Sequence, residues 1–473
     1  MPTRNEECGI WNVEWNVEYG ITDAQSKPYT DRVAPFYRFM RALIRAALGL
    51  YYREIEVAGA RHVPAEGPLL LLANHHNGMV DGLIMIATSP RPVRYIAKAP
   101  LFRIPILGWF MRGLGCIPAH RAKDPGYAKE KNEELYRSVK EVFLAGGAIG
   151  IFPEGGSHTD PALAEFKHGA AKMALEAEAL ADFKLGLRAH LIGIHFERTR
   201  LFRGRVLVTF GASQPVAGYR DRFAVDPRGA VAALTKDLRG KLAAMVLDAE
   251  NEEIARLSAV AERIMRDEGP SPGLEDRFRR RKEVLQRYHR LRETHPAEVE
   301  SVRRLLRRYD GMLRLVGSGD GQIAAEYRWP RILGYALKNT ALLLLGAPVV
   351  ALGVALHIVP YGLARAAAEI TGRDEDHRSS VGLLSAIFLF PLWYVGLIVA
   401  GWKMLPLKVW LPIVLCGPPA GYVALRWLDR FRSFARETAG LWLALTGPGV
   451  RIRLGAWRKQ IADRLESLDR AAR

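Results

Sequence analysis

The chain has 473 residues, 49% of them hydrophobic and 25% charged, and its 68 basic against 50 acidic residues leave a net charge of +18. That length supports more than one domain, and a basic surplus of this size suits an anionic partner, either nucleic acid or an anionic membrane face. Three widely spaced cysteines, Cys8, Cys116 and Cys416, exclude a zinc or disulfide framework and make a reducing, cytosolic setting the default.

The opening stretch, MPTRNEECGIWNVEWNVEYG, is acidic and lacks a continuous apolar run, so no cleavable signal peptide is expected. Ala34–Arg53 follows with apolar residues at helical spacing, broken by Arg38, Arg41 and Arg45. It reads either as an amphipathic helix in the headgroup layer with snorkelling arginines, or as an ordinary surface helix packed on a core. Residues 1–53 are taken as this N-terminal segment.

From Glu54 onward, short apolar runs alternate with helical patterns. GPLLLLANHH, PVRYIAK, AIGIFPEG, AHLIGIHF and RVLVTFG read as strands, and PGYAKEKNEELYRSVKEVFLAGG and HGAAKMALEAEALADF as helices. The alternation predicts an α/β fold over 54–224, a mostly parallel sheet flanked by helices. Residues 225–338 read as a charged helical region carrying the basic runs Arg277–Lys282 and Arg303–Arg308. A solvated helical face is the expectation there, an acidic-lipid contact the alternative; no nucleic-acid-binding signature accompanies the runs, and no nucleic-acid partner is expected.

Residues 339–427 hold three charge-free runs, Asn339–Ala364, Ser379–Trp402 and Val409–Leu425. A crossing needs roughly 20 mostly apolar residues; the first two runs meet that length, and the third is marginal because CGPPAG interrupts it. Basic residues flank both ends, Arg328, Arg331 and Lys338 before and Arg426, Arg430 and Arg432 after. The positive-inside rule puts both flanks in the cytosol, which demands an even number of crossings. Three full spans would violate that, so one of the runs is expected to be re-entrant or interfacial. Residues 428–473 read as a basic tail.

The chemistry concentrates where predicted strands end. After Leu69–Leu72 comes Asn74-His75-His76-Asn77-Gly78-Met79-Val80-Asp81, with four residues between His76 and Asp81 and five between His75 and Asp81. A carboxylate folding back across such a turn fixes one imidazole tautomer and leaves the other nitrogen as a base. Gly115-Cys-Ile ends in Arg121, and the run Phe152–His158 places Glu154, Gly155, Gly156, Ser157 and His158 just past another strand. If these loops share one edge of a parallel sheet, they assemble a base, an anion-binding Arg, backbone N–H groups and a second carboxylate. That set suits acyl transfer to a hydroxyl on a phosphate-bearing acceptor.

A metal hydrolase on His75, His76, Asp81 and His158 is disfavoured, because successive side chains of an extended backbone face opposite ways and no His-Glu-x-x-His pattern is present. A serine hydrolase on Ser157 lacks the Gly-x-Ser-x-Gly elbow. A membrane scaffold without catalysis is the reading from another class. No metal is expected at the site.

The blocks Asn74/His76/Asp81, Gly115-Cys-Ile-x-x-x-Arg121 and Phe152-Pro153-Glu154-Gly155, in this order, resemble the glycerophosphate acyltransferase superfamily. The likeness covers about Glu54–Ala217. Two features set the chain apart from the short bacterial lysophosphatidate enzymes: Gly156-Ser157-His158 stands where they usually carry Thr-Arg-Ser, and LIGIHFE lacks the usual proline. Both look more like the yeast-type glycerol-3-phosphate/dihydroxyacetone phosphate branch, where membrane segments also follow the catalytic domain.

The resemblance implies an acyltransferase of phospholipid biosynthesis on the cytoplasmic face of a bilayer. It would move an acyl group from acyl-CoA or an acyl-carrier protein, as co-substrate, to glycerol 3-phosphate, with dihydroxyacetone phosphate or lysophosphatidate as other acceptors and with no cofactor. His76, oriented by Asp81, would be the base and His75 a supporting polar group. Arg121 would grip phosphate; Asn74, Glu154, Gly155, Gly156, Ser157 and His158 would shape the substrate site.

Overall fold

The computed structural model describes residues 15–17, 34–120, 129–158, 160–197, 202–266, 273–317, 320, 323, 329–371, 375–446 and 448–471. The chain forms two units, Met1–Asp248 with Gly372–Leu383, and Ala249–Thr371 with Leu384–Arg473. The first therefore runs past the 224/225 boundary read from charge.

In chain order the first unit holds β1 (Trp15–Val17), α1 (Ala34–Tyr51), β2 (Glu54–Ala58), β3 (Leu69–Ala73), α2 (Gly78–Thr88), β4 (Arg94–Lys98), α3 (Pro105–Gly113), β5 (Ile117–Ala119), α4 (Lys129–Leu144), β6 (Ala148–Ile151), α5 (Gly169–Leu180), β7 (Arg188–Phe196), β8 (Arg205–Pro215), α6 (Arg220–Val225) and α7 (Pro227–Ala243). The strands form one eight-stranded sheet in the order β1-β2-β8-β7-β3-β6-β4-β5. Every pairing is parallel except β7 with β8. This is the α/β fold with a mostly parallel sheet that strand–helix alternation predicts.

The centre of the sheet explains why β3 reads LLLLA. A strand covered on both faces needs apolar side chains at every position, and all five residues are buried. Leu70 and Leu72 join Ile149 and Leu191 in a core with Val139 and Phe143 of α4, Ala174 of α5, and Leu234, Leu238 and Leu242 of α7. That packing makes α7 part of this unit. Leu69 and Leu71 turn to the opposite face by the period of a strand.

Two of the arginines that suggested headgroup snorkelling are used inside the fold. Arg41 donates to Ser89 O, and Arg45 Nε donates to Ala87 O at 2.9 Å. Both acceptors lie at the carboxyl end of α2, where helix carbonyls lack intrahelical donors and cations are favoured.

The second unit contains α8 (Glu252–Met265), α9 (Leu274–Thr294), α10 (Pro296–Leu315), α11 (Trp329–Thr371), the part of α12 (Glu375–Met404) from Leu384, α13 (Leu407–Thr446) and α14 (Pro448–Ala471). Leu257, Val260 and Ile264 of α8, Val302, Leu306 and Tyr309 of α10, and Leu454, Ile461 and Leu468 of α14 share one hydrophobic core. Arg458 of α14 reaches Asp320 at 3.3 Å, the same carboxylate that accepts the Tyr309 hydroxyl at 2.6 Å. The segment read as a basic tail thus packs into the charged helical region. Many of the basic side chains there are paired: Arg307 with Glu253 at 2.6 Å, Arg256 with Asp310 at 3.0 Å and Arg280 with Glu262 at 3.5 Å.

Helices α11, α12 and α13 contain three stretches long and apolar enough to cross a membrane, Leu333–Ile370, Arg378–Met404 and Leu407–Ala435. The CGPPAG sequence does not break the third; α13 continues through Pro418 and Pro419. Gly353 explains how closely α11 and α13 approach: a Cβ there would collide with the Ala420 carbonyl, the small-residue contact typical of helices that pack without a hydrophobic drive. Trp427 Nε1 donates to Leu343 O at 2.9 Å and Trp393 Nε1 to Leu356 O at 2.8 Å.

Candidate active site

Strand register sets the site. Leu72 of β3 is paired with Ile151 of β6, and Ala73 with Ile192 of β7, all parallel, so the residues that follow β3 and β6 leave the sheet side by side at its carboxyl edge. Asn74 extends the ladder by one step with its side chain: Nδ2 donates to Ile194 O at 2.9 Å, and Oδ1 accepts from Ile194 N at 2.7 Å. An amide is the one side chain that reproduces both halves of a peptide pairing. Asn74 is buried and anchors the loop; its side chain is turned to the sheet.

The chain then turns into α2, whose first turn carries the fully buried Asp81. A carboxylate is favoured there by the positive end of the helix dipole. Asp81 Oδ2 accepts the Asn77 backbone N–H at 2.7 Å and lies 3.0 Å from His75 Nδ1. The His75 ring stacks on Phe152, with centroids 4.0 Å apart and planes 14° apart, so carboxylate and aromatic face together fix its position. With Nδ1 donating to Asp81, the neutral imidazole presents Nε2 as an acceptor.

The expected Asp81–His76 pair gives way to Asp81–His75. His76 faces His158 instead, edge to face with centroids 5.0 Å apart. Burial lowers the pKa of His76 below the ordinary imidazole value, outweighing the opposing pull of Asp81 and Glu154. The reason for the exchange is geometric. Successive side chains leave an extended backbone on opposite sides, so only one of two adjacent histidines can face the start of α2.

Glu154 braces this turn from β6. It is buried; Oε1 accepts the His75 backbone N–H at 2.7 Å, while Oε2 accepts Ala164 N–H at 3.0 Å and pairs closely with His158 Nε2. The His158 backbone N–H donates to His75 O at 3.2 Å and closes the loop pair. The hydrogen bond to Glu154 raises the pKa of His158 above the ordinary value, despite partial burial. Both Glu154 oxygens are thus engaged within the protein.

Gly155 is required where it stands: its φ of +75° strains any L side chain, and a Cβ would lie 2.8 Å from Lys167 Cδ. Its N–H donates to Phe152 O at 3.1 Å inside the turn, so it is not directed at a substrate as expected. At Gly156 a Cβ would meet nothing within 4 Å. Ser157 and His158 are half-buried beside it. Arg121 lies outside the described residues. Lys172 is a surface residue of α5, over the Tyr136 ring and 3.7 Å from Glu176.

Sequence patterns gave no sign of Tyr52. It is buried, and its phenol pKa is pushed well above the ordinary value, chiefly by burial and further by the nearby charges of Tyr51 and Asp81. Its neighbourhood to Asp81 depends on how α1 packs against α2. Among the described residues no cluster of three or more His, Cys, Asp or Glu side chains is arranged to hold a metal ion.

Residues 54–194 match the family model described as Acyltransferase. The chain is 25% identical over 307 residues to glycerol-3-phosphate O-acyltransferase 2 of Saccharomyces cerevisiae, covering 60% of this chain and 40% of the yeast protein. It is 33% identical over 137 residues to a 1-acyl-sn-glycerol-3-phosphate acyltransferase of Borreliella burgdorferi, covering 29% of this chain and 52% of that protein. The crystal structure of the 1-acyl-sn-glycerophosphate acyltransferase of Thermotoga maritima aligns with a TM-score of 0.32 and 18% identity, over 44% of this chain and 79% of that one. The chain thus spans about half or less of the length of these two curated relatives.

The sheet and its carboxyl-edge loops form an acyltransferase domain. Through that domain the chain resembles the glycerophosphate acyltransferase superfamily.

Proposed function

We propose that the protein transfers a fatty acyl group from an acyl thioester to the sn-1 hydroxyl of glycerol 3-phosphate, with His75 as the general base. The observation that carries this reading is the His75 Nδ1–Asp81 Oδ2 contact of 3.0 Å at the carboxyl edge of β3. His75 Nε2 takes the acceptor's hydroxyl proton as that oxygen attacks the thioester carbonyl. A C–O bond forms, the C–S bond breaks, and the imidazolium returns the proton to the departing thiolate. Asp81 stabilises the transient imidazolium. No enzyme nucleophile is needed, because the thioester is already activated. Arg121 keeps the phosphate-holding role that its sequence block implies, since a guanidinium fork matches phosphate oxygens.

The yeast alignment extends over 60% of this chain, well beyond the domain itself, and supports glycerol 3-phosphate as acceptor. The Borreliella match, at higher identity over a shorter stretch, favours lysophosphatidate as the second reading. An acceptor panel with the full chain in detergent separates them: glycerol 3-phosphate, dihydroxyacetone phosphate and lysophosphatidate, each with an acyl-CoA and an acyl-carrier-protein donor. Transfer to glycerol 3-phosphate is expected. Transfer to lysophosphatidate alone moves the assignment to the second reading, and no transfer at all leaves the scaffold reading.

The second unit supports the following bilayer arrangement. Helices α8, α10 and α14 share one core, so the segments before α11 and after α13 lie on the same side of the membrane. Three apolar helices then cross an even number of times, and at least one of them is not a full crossing. Basic flanks at both ends support the cytoplasm as that side, by the positive-inside rule.

A further inference from the structure

We infer that Ser380 is a positioning residue for the His75–Asp81 pair, holding the catalytic turn from the first turns of α12. The inference rests on the reading of His75 as the base. Asn77, the N-cap of α2, makes no side-chain cap hydrogen bond, so the first N–H groups of the helix need other acceptors. One comes from a residue 301 positions away: Met79 N–H donates to Ser380 Oγ at 3.0 Å. The same hydroxyl donates to Asn77 O at 3.4 Å. Ser380 is buried, as is Leu383 one helical turn further on, so this face of α12 is packed rather than solvated.

The consequence for chemistry runs through Asn77. Its N–H donates to Asp81 Oδ2 at 2.7 Å, the oxygen that also meets His75 Nδ1, while its C=O accepts from Ser380. Ser380 therefore fixes the peptide on the far side of the residue that fixes Asp81. A hydroxyl can satisfy both an N–H and a C=O at once; a methyl leaves the Met79 N–H unmet in a partly buried place, while Asn77 O keeps the Val80 N–H at 3.0 Å. The stretch that supplies it opens the second of the three apolar spans, which begins at Arg378.

Ser380→Ala and Ser380→Thr test this in the full chain in detergent. Alanine is a good helix former, so α12 keeps its structure, and threonine restores the hydroxyl. We expect kcat to fall about tenfold in the alanine variant and to return within about twofold of the parent in the threonine variant, with KM for the acyl donor unchanged, the scale set by one unpaired, partly buried N–H. Amide exchange of the peptide containing Met79 should quicken in the alanine variant alone. An unchanged kcat in Ser380→Ala, or an equal fall in both variants, overturns the inference. Should the parent transfer no acyl group to any glycerol-phosphate acceptor, the functional reading fails, and Met79 exchange alone decides the Ser380 contact: unchanged protection in Ser380→Ala overturns it.

Discussion

The loops at the carboxyl edge of β3 and β6 and the helices of the second unit both hold carboxylate side chains, but the two regions use them differently. At the edge, Asp81 and Glu154 are buried; Asp81 Oδ2 and both Glu154 oxygens meet named donors, and Asp81 Oδ1 is buried without one among the described residues. In the helical unit the carboxylates that pair with Arg307, Arg303 and Arg292 lie at the surface. A buried carboxylate that loses a partner leaves an unsatisfied group in a medium of low dielectric, whereas a surface pair exchanges protein for water at little cost. Charge at the edge therefore fixes geometry, as buried Asp310, Glu262 and Asp320 do within the helical unit, whereas the surface pairs there mainly keep the helices solvated.

That contrast orders the predictions. Asp81→Asn should have the largest effect, lowering turnover about a hundredfold or more, the range of a general base deprived of its orienting partner. Circular dichroism and thermal midpoint should stay close to the parent, since asparagine fills the same space. A loss of folded protein instead would make Asp81 a structural carboxylate and erase the distinction from Glu154.

Glu154→Gln comes next and should act on both quantities. An amide cannot accept at both positions where the carboxylate does, so one buried donor is left unmet, costing about 1–3 kcal/mol of stability. Thermal denaturation measures that part; steady-state turnover measures the displaced His75 backbone. Stability unchanged from the parent would show that Glu154 does not brace the turn.

The His158–Glu154 pair gives a smaller, pH-dependent effect whose sign is fixed. The pKa of His158 is raised in the folded protein, so the pair's contribution is complete below the ordinary value of 6.5 and is lost as pH rises through the raised value. Exchange of the Ala164 amide, which donates to the same Glu154 oxygen, should quicken over that rise and lose its pH dependence in His158→Gln. His76 carries the opposite sign: its pKa is lowered by burial, so its protonation opposes folding as pH falls. Resolved histidine titrations should find His158 above and His76 below the ordinary value. The smallest effect belongs to the helical unit, where Arg307→Gln should shift the thermal midpoint by no more than about 1 °C.

How much of this is legible in the sequence varies with the kind of information. Strand–helix alternation predicts the sheet, and LLLLA predicts a strand buried on both faces. The loops carrying His75, His76, Asp81 and Glu154 do meet at one sheet edge. Counting residues fails at the adjacent histidines: four between His76 and Asp81 marks His76, but the direction in which each side chain leaves the backbone selects His75. Ser380 and Tyr52 lie beyond any local pattern, because only the folded chain brings them near Asp81 and its turn. The reading of Val409–Leu425 as interrupted rests on two prolines, which α13 accommodates within a continuous helix.

The assignment of the base is tested most directly by measuring acyl transfer to glycerol 3-phosphate in full-length His75→Ala and His76→Ala, with folding checked in both. Turnover should collapse by about a thousandfold in His75→Ala and stay within about tenfold of the parent in His76→Ala. The reverse order, with His76 indispensable and His75 replaceable, would contradict the account.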